Sequence, residues 1–147
     1  MSDLRVELVT GDDAVLVADW RHVHNTIIPT APLSTDDIRE RAGRNRLEVA
    51  YRGDVLVGCS TVRPASDEDP VTVIARVLPG HRRQGIGTRL FTHCLAYART
   101  LTDGAVDTVV LASNAEGLSF AEHHGFVEIE RYVLDGDTIP FVTLRLG

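Results

Sequence analysis

Lysine is missing altogether: the 15 basic residues of the 147-residue chain are all arginine, outnumbered by 21 acids for a formal charge of -6. A general nucleic-acid binder carries a positive stripe that displaces counterions from phosphates. Here only Arg82-Arg83 and the stretch from Arg39 to Arg46 are locally basic, so nucleic acid is not an expected partner. Without lysine there is also no Gly-Lys-Ser/Thr loop of the P-loop kind. Long apolar runs are equally scarce. Val106 to Ala112 is interrupted by Asp107 and Thr108 and falls far short of the roughly 20 residues that span a bilayer, which leaves no expected membrane role. The opening Met1-Ser2-Asp3-Leu4-Arg5 lacks the features of a signal peptide, and a cytoplasmic setting is the expectation. Cysteine is nearly absent. Cys59 in an apparent strand and Cys94 in an apparent helix have no second thiol or histidine at metal spacing, so both read as buried small hydrophobes, and no metal is expected. No low-complexity segment, internal repeat or linker divides the chain. With 44% apolar and 24% charged residues, it is expected to form one domain over residues 1–147.

What is present is an ordered series of elements. Val6 to Val9 reads as a short strand, and Ala14 to His24 is apolar at helical spacing through Val15, Leu16, Trp20 and Val23. Ser34 can cap a charged helix from Thr35 to about Arg44, with Asp37 in its third position. Leu47 to Arg52 and Val55 to Val62 alternate and are joined by Gly53-Asp54, a dipeptide suited to a two-residue hairpin turn with positive φ. After the acidic run Asp67-Glu68-Asp69, Val71 to Leu78 reads as a third antiparallel strand. A helix from Gly85 to Leu101 would bury Ile86, Leu90, Cys94, Tyr97 or Ala98, and Leu101 on one face. Thr108 to Leu111 reads as a buried strand, Ala115 to His124 as a helix, and Val127 to Leu134 with Phe141 to Leu146 as a closing pair. A strand-helix-strand unit requires parallel pairing through a right-handed crossover. The class is therefore α/β, or α+β, with a mixed, mostly antiparallel sheet flanked by helices. Trp20, Tyr51 and Phe141 are expected to fill its core.

The chemistry lies between the third of these strands and the long helix, in Val77-Leu-Pro-Gly-His-Arg-Arg-Gln-Gly-Ile-Gly-Thr-Arg-Leu90. A glycine-containing turn that runs straight into a helix leaves the first-turn N–H groups unpaired, and these bind phosphate oxygens with the help of the helix dipole. Gly85 and Gly87 let an anion come close to the backbone, and Arg82 or Arg83 can add charge-assisted bonds. A dinucleotide fold would want a third glycine where Leu90 stands. The glycines alone also suit a plain loop end with solvated arginines, or a generic nucleotide-phosphate binder.

Val77-x-Pro79-x-x-Arg82-x-x-Gly85-x-Gly87, preceded by a strand and followed by an amphipathic helix, resembles the acetyl-CoA signature of the GNAT superfamily of N-acetyltransferases. Asn114 and the Gly125-Phe126 pair resemble its second signature, and the order of elements is similar over nearly the whole chain. The resemblance implies a GNAT fold and acetyl-CoA, or a related acyl-CoA, as co-substrate. It implies that the pyrophosphate of coenzyme A sits on the loop containing Arg82, Arg83, Gln84, Gly85, Ile86, Gly87 and Thr88. The pantetheine arm would pair with the strand near Val77, whose backbone N–H would stabilise the developing oxyanion. Asn114 would contact that arm, although an asparagine before Ala115-Glu116 also suits a helix N-cap. The implied reaction is direct acetyl transfer to an amine, borne by a small molecule or a peptide, without a covalent enzyme intermediate. A homodimer is left open.

Many family members carry a tyrosine four residues before the glycine of the Gly-Phe pair, where it protonates the departing thiolate. Here that position is Ala121. Ser119, His124, Tyr132 or a water could replace it. A base for the amine could be His22 or His24, which the resemblance places over the acceptor site, or one of Asp67, Glu68 and Asp69, yet all of these also suit structural or solvated roles. The missing tyrosine leaves a second possibility, a coenzyme A binder without chemistry that serves as a sensor or regulatory module.

Overall fold

The computed structural model describes residues 4–147. Its elements run β1 (Leu4–Leu8), α1 (Ala14–Ile27), α2 (Thr35–Ala42), β2 (Arg46–Arg52), β3 (Val55–Arg63), β4 (Val71–Val77), a 3-10 turn (Pro79–His81), α3 (Ile86–Leu101), β5 (Val106–Leu111), α4 (Ala115–His123), β6 (Val127–Tyr132) and β7 (Phe141–Leu146). The strands form one sheet in the order β1-β2-β3-β4-β5-β7-β6. Every neighbouring pair is antiparallel except β4 and β5, the parallel pair closed by the α3 crossover. This is the expected mixed, mostly antiparallel sheet flanked by helices.

Local chemistry sets the joints. Asp13 caps α1 by accepting from the Leu16 N–H, and Ser34 and Asp37 complete a reciprocal capping box on α2. Arg52 faces Val55 across the two-residue turn Gly53-Asp54, with Gly53 at φ 63°. The sheet then buries a different set of residues on each face, as its period of two demands. Val73, Leu90, Phe91, Phe126 and Leu144 belong to the layer beneath α3 and α4, while Trp20, Val23, Ile38, Leu47 and Cys59 belong to the layer beneath α1 and α2. Each fully buried aliphatic such as Ile38 or Leu90 contributes roughly 1.5–3 kcal/mol. Trp20, Tyr51 and Phe141 are buried as expected.

Several boundaries shift by a residue or two, and three differences from the sequence expectation have a physical reason. β5 begins at Val106 rather than Thr108, because Asp107 is buried with its charge matched by Arg145 of β7 in a two-bonded pair of 2.7 and 3.1 Å. α1 continues past His24 to Ile27, where the Ile28 N–H closes the last turn on the His24 carbonyl. Leu101 does not join the buried face of α3; it is 46% exposed, and Ala98 is the last residue of that helix in the core. No helix among the described residues is long and apolar enough to cross a membrane.

Candidate active site

Strands β4 and β5 meet only through Val71 with Val106 and Thr72 with Asp107, then part, because β5 stays paired with β7 as far as Leu111 while β4 follows β3. On the β3 side, Gly58 permits a very close approach: a Cβ there would lie 2.4 Å from the Arg76 carbonyl oxygen. The Leu78 N–H donates toward β3, to the Val57 carbonyl at 2.8 Å. Backbone groups alternate in direction along a strand, so the N–H of Val77 points the other way, into the gap beside β5. The Val77 carbonyl shares that edge and accepts from Arg82 Nε at 3.0 Å.

The N-terminus of α3 faces the same gap. Its N-cap, Gly85, adopts the left-handed conformation at φ 78°, which a side chain would strain, and no side chain caps the helix. The N–H groups of Ile86, Gly87 and Thr88 therefore lack intrahelical partners and concentrate partial positive charge at that end. Arg83 just before it also has a positive φ, 62°, a sparsely populated state for a non-glycine residue. A Cβ on Gly87 would sit 3.6 Å from both the Phe120 ring and the Val77 side chain, in the narrow part of the opening. The result is a cleft of about 580 Å³ bordered on one side by Val77, Arg82, Arg83, Gly85, Gly87 and Thr88. Its opposite wall is α4, with Asn114, Ser119, Phe120 and His124, and Arg82 reaches across it to Glu116 at 3.9 Å.

Asn114 is the N-cap of α4, its Oδ1 accepting from the Gly117 N–H at 3.0 Å, and it also borders the cleft. Gln84 is exposed, does not border the cleft, and accepts a bond from Arg52 instead. The Ile86 side chain is buried in the core, so only its backbone is available to a ligand. A free strand edge, an uncapped helix N-terminus and two arginines at one opening fit a long phosphorylated molecule with an amide-bearing arm, which is the chemistry of an acyl-CoA.

Among the acid and base candidates, Ser119 and His124 reach the cleft. His124 Nδ1 lies 2.8 Å from the Phe120 carbonyl oxygen, an acceptor, so Nδ1 carries the proton of that bond and Nε2 is left for exchange. Ala121 is buried, and it borders a smaller cavity of about 50 Å³ under the cleft floor. Tyr132 lies away on β6, stacked on Phe141. His22 is exposed on α1 and outside the cleft lining, and Asp67, Glu68 and Asp69 lie in an exposed loop. His24 is buried outside the lining, stacked on Trp20 at 5.4 Å with Nδ1 3.0 Å from Asn25 Oδ1. Burial, with smaller effects from Arg76 and Arg41, pushes its pKa down to about 4, so it is neutral at pH 7. Cys59 and Cys94 are also away from the cleft, and burial raises their thiols to about 12 and about 11.

Among the cleft residues missed in the sequence, two carry chemistry that a sequence signal could have flagged. His123 borders the opening next to His124, and its signal was a histidine pair directly before Gly125. Arg76 borders both the cleft and the small cavity. Its signal was a lone cation in an otherwise uncharged strand, Val71 to Val77.

Known proteins share this fold. The Staphylococcus aureus Mu50 N-acetyltransferase superposes with a TM-score of 0.76 at 12% identity, covering 99% of this chain and 98% of that one. The yncA structure from Salmonella typhimurium, solved with its cofactor acetyl-CoA, gives 0.72 at 16% identity, covering 99% and 94%. In sequence, the mycothiol acetyltransferase of Kocuria rhizophila is 28% identical over 144 residues, which is 92% of this chain and 46% of that protein. The chain thus spans about half the length of that curated relative. Residues 16–126 match the sequence profile of the acetyltransferase (GNAT) family, and the chain belongs to that family.

Proposed function

We propose that the protein transfers an acetyl group from acetyl-CoA directly to an amine. The observation that carries this reading is the parting of β4 from β5 opposite the uncapped N-terminus of α3, which offers one free strand edge and one set of free N–H groups to the same ligand. In this reading the backbone N–H groups of Ile86, Gly87 and Thr88, with Arg82 and Arg83, hold the pyrophosphate, and Asn114 flanks the pantetheine arm. Acetyl-CoA supplies an activated thioester. The Val77 N–H donates to the thioester oxygen as it gains charge, a fixed dipole that needs no reorganisation during the reaction. Ser119, His124 or a water at the α4 wall returns a proton to the thiolate, whose ordinary pKa near 8.5 makes it a tolerable leaving group. The amine loses its proton to water, since neither His22 nor His24 borders the cleft. A cytoplasmic setting belongs to the same reading. So does a homodimer, for which the edge strand β6, exposed along its whole length, offers Val127 and Ile129.

Ala121 favours a second reading, a coenzyme A binder without transfer, because no phenol stands at the position that the family commonly uses. Release of free thiol from acetyl-CoA across a panel of amines separates the two. Amine-dependent release supports transfer. Tight acetyl-CoA binding with no release for any amine supports the binder.

A further inference from the structure

The acceptor end of the cleft contains a cation that the transfer chemistry above does not use. Along β4, Val73, Ala75 and Val77 pack toward α3 and α4, so Arg76 emerges on the opposite face, over the layer of α1 and α2, where its cross-strand neighbour Cys59 is buried. It is adjacent in sequence to Val77, whose N–H points into the cleft, and it borders both the cleft and the small cavity beneath it. Burial is the main reason its pKa lies below the ordinary arginine range, and the cations Arg41 and Arg63 lower it further. No hydrogen bond or ion pair joins its side chain to another described residue, and its nitrogens are not among the sealed, unpartnered polar atoms, in a residue that borders both spaces. Burying a guanidinium without a partner is costly. In a chain of net charge -6, an acidic partner was readily available, yet the position faces empty space instead.

We infer that Arg76 binds a carboxylate on the acceptor, so that the substrate is a small amino acid whose amine attacks beside Val77. This deepens the transferase reading and rests on it. The planar guanidinium fork matches a carboxylate through two parallel bonds. A phosphate dianion would call for further donors, and neither Arg41 nor Arg63 borders the cleft. Arg76 and Val77 border the same cleft, so one small molecule can present its carboxylate to the first and its amine beside the second. A peptide or protein N-terminus, whose first carboxyl is an amide, lacks that partner.

The test pairs each of several free amino acids with its own carboxamide as acceptor and measures thiol release from acetyl-CoA, together with acetyl-CoA binding by calorimetry. The amino acids should exceed their carboxamides in kcat/KM by about tenfold or more, the value of a charge-assisted bond. Arg76→Gln should bring the ratio toward one while acetyl-CoA still binds, and Arg76→Lys should restore part of it. Equal or better turnover of carboxamides by the unmodified protein, or a preference that survives Arg76→Gln, overturns the inference and leaves the transferase reading intact. Absence of turnover with every amine is a failure of that reading instead. Calorimetric titration of the amino acids into protein saturated with coenzyme A then decides: binding lost in Arg76→Gln upholds the carboxylate site, and no binding overturns it.

Discussion

Arg82 Nε donates to the carbonyl oxygen of Val77 over 3.0 Å, which ties the loop before α3 to the free edge of β4. The same guanidinium lies 3.9 Å from Glu116 on α4, so one side chain touches both walls of the cleft. It therefore does more than add positive charge to the opening, because it also fixes where the Val77 backbone stands relative to α3.

Arg82→Ala should weaken acetyl-CoA binding by about tenfold or more, as expected for loss of a charge-assisted contact. Arg82→Lys should recover only part of this, since an ammonium cannot reproduce the Nε bond to Val77 while reaching outward. Calorimetric dissociation constants for the two variants check both statements.

Substitution of Gly87 separates stability from binding. A methyl there meets Phe120 and Val77 at ordinary contact distance, and alanine in place of glycine favours a helix by up to about 1 kcal/mol, so Gly87→Ala should melt no lower than the parent. Gly87→Leu projects into the narrow part of the cleft and should reduce acetyl-CoA affinity by about 100-fold or more while the protein stays folded. Thermal melting and calorimetry on the same samples test this pair of expectations.

Cys59→Ser and Cys94→Ser should each leave turnover per folded molecule essentially unchanged. Both thiols are buried away from the cleft, and burial keeps them protonated at neutral pH, the opposite of an activated nucleophile. Melting temperature should fall for both, since both side chains are fully buried. Loss of turnover in a folded variant that binds acetyl-CoA would require a thioacyl intermediate.

His24 links folding to pH. Its pKa is lowered to about 4 in the folded protein from an ordinary 6.5, chiefly by burial. Below about pH 6.5 the unfolded chain takes up a proton that the folded protein refuses until about pH 4. Stability contributed by this group is thus present at neutral pH and is lost as pH falls through that window, by at most about 1.4 kcal/mol per pH unit. His24→Phe, which keeps a ring against Trp20, should flatten the decline between about pH 7.5 and 5 in urea unfolding. An unaltered slope would show that other groups cause it.

Short-range chemistry was readable in the residues. The Gly53-Asp54 turn, the Ser34 and Asp37 capping box and the loop ending in Gly85 each depend on a few consecutive positions, and all formed as expected. Features joined across the chain were not. Asp107 read as a break ahead of a strand from Thr108, because Arg145, which supplies its counter-charge, is distant in sequence. Arg76 drew no reading within its strand, because only the parting of β5 from β4 opens the cavity that it borders. His22 and His24 show the opposite error: their proximity to the acceptor region came from the order of elements, while the turn of α1 carries one to solvent and the other under Trp20.

The most direct measurement is a titration of the 15N-labelled protein with acetyl-CoA, following each backbone amide by NMR. If the strand edge and the helix N-terminus together hold the co-substrate, the largest saturable shifts should fall on Val77 and on Gly85 to Thr88, with Asn114 and Gly117 next across the cleft. Shifts that leave Val77 and the first turn of α3 unchanged, or no saturable binding at all, would contradict it.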